Sequence, residues 1–362
     1  MKQADALMAS GVAEGVFPGG VLLVSKDSKQ LFCKAYGQTD IFSKIPMSRE
    51  TIFDLASLTK PLATTLAVMK LIKREKLFLE QNVSSILPEF GANSKNEITI
   101  RNLLFHNSGL PDYREYYKAL RKLPEKKRIT ALRGYLVKEP LLYPIGKKTL
   151  YSDLGFMILG WIVETAAGRS LDRFTEEEIY APLKLGSGSP ERLFFVDLKQ
   201  PEIEEAVFAA TEVCPWRRIL LKGEVHDDNA YMMGGVAGHA GLFGSAGAVF
   251  KLLSFIVDVF HGRAVDSDIF DKHLMRKFLR KDEYSGRTSG FDTPSLTGSS
   301  SGRFFSKKSV GHLGFTGTSF WIDLERSVIV ILLTNRVHPS RQNNKIKVFR
   351  PKLHDSVMKN FL

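Results

Sequence analysis

The stretch GGVLLVSKDSKQLFCKAYG alternates apolar and polar positions on either side of a polar turn at 26–29, a pattern that predicts a β-hairpin. Near the other end, GHLGFTGTSFWIDLERSVIVILLTNRV predicts a second hairpin turning at 323–326, with a helix following at about 345–358. Strands at both ends of the chain predict one antiparallel sheet built from the two termini. Before the first hairpin, MKQADALMASGVAEGVF reads as a short helix leading into a strand. Residues 61–76, 150–167 and 246–260 carry apolar side chains at helical spacing. The expected fold class is therefore α/β, of the α+β kind. Residues 1–63 and 242–362 would form a sheet subdomain flanked by helices, and the loop-rich, helix-rich residues 64–241 an inserted subdomain, with a cleft between them. The polar run SLTGSSSGRFFSKKS predicts a flexible loop before the last hairpin.

Composition narrows the classes. A chain of 362 residues can bury a large core, and 44% hydrophobic with 25% charged residues is ordinary for a globular protein. No apolar run is long enough to span a bilayer. The N-terminal segment meets Asp5 and Glu14 before any apolar signal region forms, which points to a cytoplasmic protein. A signal removed before the first numbered residue would make it periplasmic or secreted. The two cysteines, Cys33 in a predicted strand and Cys214 in a predicted loop, make no disulfide framework and no zinc spacing. The net charge of +12 suggests anionic partners, yet the basic residues are scattered and match no nucleic-acid-binding module. A small anionic substrate fits better.

The candidate chemistry begins in FDLASLTKPLATTLAV, where Ser57 and Lys60 are one helical turn apart. Residues at that spacing share a face, so the amine can reach the hydroxyl; the bland alternative is a serine cap followed by a solvated lysine. A second Ser-x-x-Lys, Ser356 to Lys359, has nothing downstream to complete a site. Ser57 has company: YPIGKKTLYSDLGFMILGWIVE sets Tyr151 and Asp153 before an apolar helix, and VGHLGFTGTSFWID sets His312 and Gly314 at the start of a strand. Taken singly, Tyr151 could be a hydrophobic staple and Asp153 an N-cap.

In this order and at these distances the three motifs resemble those of the penicillin-recognising serine hydrolases, in their class C β-lactamase-like branch. The resemblance covers nearly the whole chain and implies a β-lactamase/transpeptidase-like fold. It implies Ser57 as the nucleophile that forms an acyl-enzyme and Lys60 as base or relay with a pKa lowered by burial and neighbouring cations. Tyr151 would pass the proton to the leaving group, leaving open which of the two starts as the base. The backbone N–H groups of Ser57 and Phe315 would form the oxyanion hole. No metal or organic cofactor is implied.

Two departures bear on substrate. Where β-lactamases usually have Lys-Thr-Gly, this chain has His312-Leu313-Gly314, which offers no hydroxyl and a side chain that is neutral near pH 7. Sliding the register to Phe315-Thr316-Gly317 loses the cation altogether. Asp153 replaces the usual asparagine; an ionised carboxylate cannot donate to a substrate carbonyl, but it can pair with Lys60 and keep that amine charged. Efficient β-lactam hydrolysis is not expected. The run GEVHDDNA…GGVAGHAGLF resembles a branch that includes amidases acting on N-acetylmuramyl-L-alanine, which implies a muropeptide fragment as substrate. The alternatives are a promiscuous carboxylesterase, a weak β-lactamase or D,D-peptidase, and a silent sensor of cell-wall fragments. His226 and His239 are candidate cleft residues; with Asp227 they also have ligand chemistry, against which stands a capped turn at Asp227 and Asn229. Arg217, Arg336 and Arg341 are either solvated charge or binders of a substrate carboxylate.

Overall fold

The computed structural model describes residues 1–91, 94–196, 198, 206–264, 268–283 and 285–362. In chain order the strands are Gly19–Lys26 (β1), Lys29–Gly37 (β2), Phe53–Asp54 (β3), Leu193–Phe195 (β4), Val213–Cys214 (β5), Ile219–Leu220 (β6), Leu242–Gly244 (β7), Val310–Leu313 (β8), Ser319–Asp323 (β9) and Val328–Thr334 (β10). The main sheet has the order β2-β1-β10-β9-β8, so the two ends of the chain meet where β1 pairs antiparallel with β10. Every residue of β10 is buried, as expected of a central strand covered on both faces.

The two-residue period of the strands sorts their side chains onto two cores. Leu22, Val24, Val330 and Leu332 meet Ala4, Met8, Leu353 and Val357 of the helices Lys2–Ala13 and Ile346–Met358. Val21, Leu23, Ile329 and Ile331 face the helix Ala246–His261 and a larger apolar cluster that runs on into the helical part. Each such aliphatic side chain contributes about 1.5–3 kcal/mol on full burial. The helix Asp153–Ala167 lies deep in that cluster, with Leu154 to Gly160 buried without interruption. A short sheet, β3-β7-β4, sits beside it and delivers the chain to Ser57. Among the described residues no helix is long and apolar enough to cross a membrane.

Several elements differ from the pattern-based expectation. The second hairpin is a three-strand meander, because Gly314 to Thr318 closes a turn (Gly314 N–H to Thr318 O, 2.8 Å) between β8 and β9. The helix expected at 61–76 begins as a π-helical segment, Lys60–Thr65, and its α-helical part ends at Lys73, after which Glu75 takes a left-handed φ of 57°. Cys214 lies in β5 and not in a loop. The serine-rich loop is anchored: Phe305 is buried against Trp321, and the Ser306 N–H donates to Asp323 over 2.9 Å.

Candidate active site

β3 ends at Asp54, whose carboxylate accepts the N–H of Ala56 (2.8 Å) and that of His226 (2.7 Å). Ala56 has φ of 48°, a conformation strained for a residue with a Cβ and common next to functional groups. The chain thereby turns into the 3₁₀ turn Ala56–Leu58 and leaves Ser57 half-buried at a cavity wall. Ser57 is not a helix cap. Its Oγ instead accepts a hydrogen bond of 2.9 Å from Lys60 Nζ, which also donates to the carbonyl of His239 (3.2 Å).

Lys60 is fully buried and lies 2.7 Å from Asp153 Oδ1, an ionic contact whose angle is poor for a hydrogen bond. Burial by itself would push the lysine pKa down, but the Asp153 carboxylate and the Tyr151 phenol outweigh it and raise the pKa. The lowered value expected of Lys60 is therefore reversed, and the amine is held as a cation. The N-cap of the helix is Ser152 and not Asp153: its Oγ accepts the Gly155 N–H over 3.1 Å. Tyr151 precedes that cap, with its ring 4.8 Å from Lys60 Nζ and 4.8 Å from the His106 ring. Burial raises the Tyr151 pKa to about 12, against the pull of the Lys60 charge and with Asp153 adding to it. Around neutral pH the group is thus an ammonium, a phenol and a hydroxyl in contact.

The third motif lies on β8. His312 is buried, and burial lowers its pKa to about 4, so the ring is neutral. A Cβ on Gly314 would sit 2.0 Å from Thr318 Oγ1 and 2.8 Å from the Leu55 carbonyl, so only glycine lets this strand end approach the segment that carries Ser57. Thr316 Oγ1 donates to the Asp54 carbonyl (2.8 Å) and Thr318 Oγ1 to that of Leu55 (3.1 Å). These bonds tie the two motifs together and engage the hydroxyl on which the shifted Phe315-Thr316-Gly317 register depends. The carbonyl of Phe315 accepts Arg336 Nε (2.9 Å) and Nη2 (2.6 Å), which fixes the turn that carries the Phe315 N–H. The N–H of Ser57, in the first turn of its helix, has no intrahelical partner, and Phe315 borders the same cavity.

Ser57, Tyr151 and Phe315 border two cavities. One, of about 410 Å³, is lined by Tyr113, Glu115, Asp153, Asp227 and Arg341, with His226 and His239 in its wall. The other, of about 390 Å³, is lined by Arg287, Asp292, His312, Arg336, Lys347 and Arg350. His226 Nε2 is 3.2 Å from Glu212 and its ring stacks on Phe315; His239 Nε2 is 2.9 Å from Asp227. The two histidines thus bind different carboxylates, and no group of three or more such side chains among the described residues is arranged to hold a metal ion. Asp227 caps the helix Asp228–Met232 through Ala230 N–H (2.7 Å), as its position suggested. Asn229 makes no cap and instead clamps Tyr117 N–H and Arg114 O.

Of the three arginines weighed from sequence, Arg217 is a buried structural hub bonded to Glu224 and Asp228 at 2.9 Å each. Arg341 lines the first cavity and is paired with Glu212 (2.6 Å). Among the described residues Arg336 bonds backbone carbonyls, those of Phe315, Arg341 and Asn343. Arg350 does likewise with Thr318 O (2.9 Å) and Gly314 O (3.5 Å), its Nε lacking a partner among the described residues. Sequence reasoning passed over Arg350 as scattered charge, and gave no role to Asp54, Glu212, His106 or Arg287. The one legible signal was Asp54, an acid inside the apolar run before Ser57.

Over residues 4–350 the chain matches the family model described as Beta-lactamase. It is 33% identical to the N-acetylmuramyl-L-alanine amidase of Bacillus subtilis (strain 168), over 93% of this chain and 81% of that protein. Among solved structures it resembles the octameric penicillin-binding protein homologue from Pyrococcus abyssi, with TM-score 0.76 and 21% identity over 99% of this chain and 77% of that one. It also resembles EstCE1, a hydrolase with promiscuous acyltransferase activity, with TM-score 0.72 and 21% identity over 97% and 98% of the two chains. Such an extent of match in sequence, with the same fold, settles the grouping: the chain belongs to the beta-lactamase family and is a serine hydrolase of β-lactamase/transpeptidase-like fold.

Proposed function

We propose that the protein is an amidase that works through an acyl-enzyme on Ser57 and cleaves a muropeptide fragment, most concretely N-acetylmuramyl-L-alanine or a longer peptide form. The observation that carries this reading is the position of Ser57 Oγ, 2.9 Å from Lys60 Nζ, where a basic cavity and a cavity rich in carboxylates and tyrosines meet. In the basic one, Arg336 and Arg350 are buried cations that form no ion pair among the described residues. A carboxylate is the partner such guanidiniums lack, and the α-carboxylate of a leaving L-alanine would supply it. The sugar would then occupy the other cavity, beside Tyr113 and Glu115. The name of the Bacillus subtilis relative supports the same substrate class.

In this mechanism Tyr151 acts from its phenolate form, a small fraction at neutral pH that grows as pH rises: Ser57 Oγ attacks the lactyl carbonyl as its proton passes to the phenolate oxygen. The Lys60 charge favours negative charge on the phenol oxygen, so Lys60 acts as a fixed cation and Tyr151 as the proton carrier. The N–H groups of Ser57 and Phe315 hold the oxyanion; losing one such donor costs roughly 3 kcal/mol of transition-state stabilisation. Tyr151 returns the proton to the leaving nitrogen, and water then hydrolyses the ester on Ser57.

The test offers purified protein and its Ser57→Ala variant N-acetylmuramyl-L-alanine, p-nitrophenyl butyrate and nitrocefin. Serine-dependent release of L-alanine is the expected result. Ester cleavage without alanine release leaves an esterase and removes the cell-wall substrate. No serine-dependent turnover or fluorophosphonate labelling removes the acyl-enzyme itself.

A further inference from the structure

His312 and Tyr151 lie side by side on the cavity that Ser57 borders, their ring centroids 5.9 Å apart. His312 Nδ1 is 2.9 Å from the carbonyl oxygen of Leu313. A carbonyl only accepts, so the proton of the neutral ring sits on Nδ1 and Nε2 carries a lone pair. That Nε2 is buried and has no hydrogen-bond partner among the described residues. An unmatched buried acceptor is costly and rare in a folded protein. Asp292 on the same wall is paired through Oδ1 with Arg287 at 2.7 Å.

The chemistry of amide cleavage supplies a donor. When Ser57 Oγ has bonded to the carbonyl carbon, the C–N bond breaks only if the nitrogen receives a proton on its lone pair. With the lone pair turned toward the Tyr151 hydroxyl, the hydrogen that a secondary amide already carries points to another side, where a site shielded from water must provide an acceptor. The bridging oxygen of an ester and the ring nitrogen of a β-lactam carry no hydrogen and make no such demand.

We propose that His312 is a catalytic residue for amides: its Nε2 accepts the N–H of the scissile bond while Tyr151 protonates the same nitrogen, and the site thereby favours secondary amides over esters and β-lactams. This rests on the amidase reading above. In the step, the Oγ–C bond is made, the C–N bond breaks, and the Ser57 proton reaches nitrogen through Tyr151. The leaving group departs as a neutral amine, and no proton is gained or lost by His312.

The experiment uses two substrates that differ at one position: N-acetylmuramyl-L-alanine, and its counterpart in which L-lactate replaces L-alanine so that an ester oxygen stands for the N–H. His312→Asn keeps a donor for the Leu313 carbonyl but loses the acceptor, whereas His312→Gln reaches the place of Nε2 with an amide oxygen. The expected result for His312→Asn is a loss of about 10- to 100-fold in kcat/KM on the amide and a clearly smaller loss on the ester, with folding of the variant read separately by thermal unfolding. His312→Gln should recover part of the amide rate. Equal losses on both substrates, or an unchanged amide rate in His312→Asn, overturn the proposal. If the wild type cleaves the ester but not the amide, the acyl-enzyme stands and this role for His312 falls. If it cleaves neither, the muropeptide reading falls with it.

Discussion

Lys60 Nζ and Asp153 Oδ1 stand 2.7 Å apart, an ion pair beside the Ser57 hydroxyl whose lysine is fully buried. Asp153 raises the pKa of both Lys60 and Tyr151, because its negative charge favours the ammonium and disfavours a phenolate. With Tyr151 at about 12, the wild-type rate should climb with pH across the neutral and mildly alkaline range. Asp153→Asn removes that charge and lowers both values, so the rising limb should move to lower pH and the neutral rate increase. A pH profile of kcat/KM on p-nitrophenyl butyrate that does not move would sink the assignment of Tyr151 as proton carrier.

Arg350 offers a second handle, since its buried guanidinium lacks a carboxylate partner among the described residues and burial lowers its pKa, with Arg336 adding to the effect. Arg350→Met should raise KM for N-acetylmuramyl-L-alanine by about tenfold and leave KM for the corresponding L-alaninamide unchanged. Equal effects on the two would mean that the arginine only braces Thr318 and Gly314.

Leu313 lines the basic cavity, and by the proposed third-motif alignment a hydroxyl at its position would meet a β-lactam carboxylate. Leu313→Thr should raise any trace of nitrocefin hydrolysis. An unchanged rate would count against placing His312-Leu313-Gly314 as the third motif.

Asp54 holds two backbone N–H groups, those of Ala56 and His226, and so fixes the strained approach to Ser57. Asp54→Asn turns one accepting oxygen into a donor facing an N–H. The expected cost is about 1–3 kcal/mol of stability and a reduced kcat at unchanged KM, read by thermal unfolding and by ester kinetics. A fall in stability with full kcat would make Asp54 structural only.

Where a residue's role follows from its neighbours in the chain, the sequence was legible. The period of two in GGVLLVSK, the apolar run after Asp153 and the three-residue step from Ser57 to Lys60 led to the sheet, the buried helix and the Ser57–Lys60 contact, because strand, helix and turn geometry are local. It also showed that Asp153 could pair with Lys60, since the sign of a carboxylate is known without coordinates.

What remained hidden depends on partners distant in the chain. Arg217, Arg336 and Arg341 read alike as solvated charge or carboxylate binders and Arg350 as scattered charge, and only packing separated a hub bonded to Asp228, a neutralised pair with Glu212, and two buried cations that among the described residues bond backbone carbonyls. The direction of the Lys60 pKa was likewise decided by tertiary structure, because burial and the Asp153 charge pull oppositely and their balance depends on a 2.7 Å contact. Residue type and local pattern thus determined the elements and the order of the motifs, whereas electrostatics, which fall off with distance through space and not along the chain, were settled only when the fold brought residues 54, 60, 153, 312 and 350 around one serine.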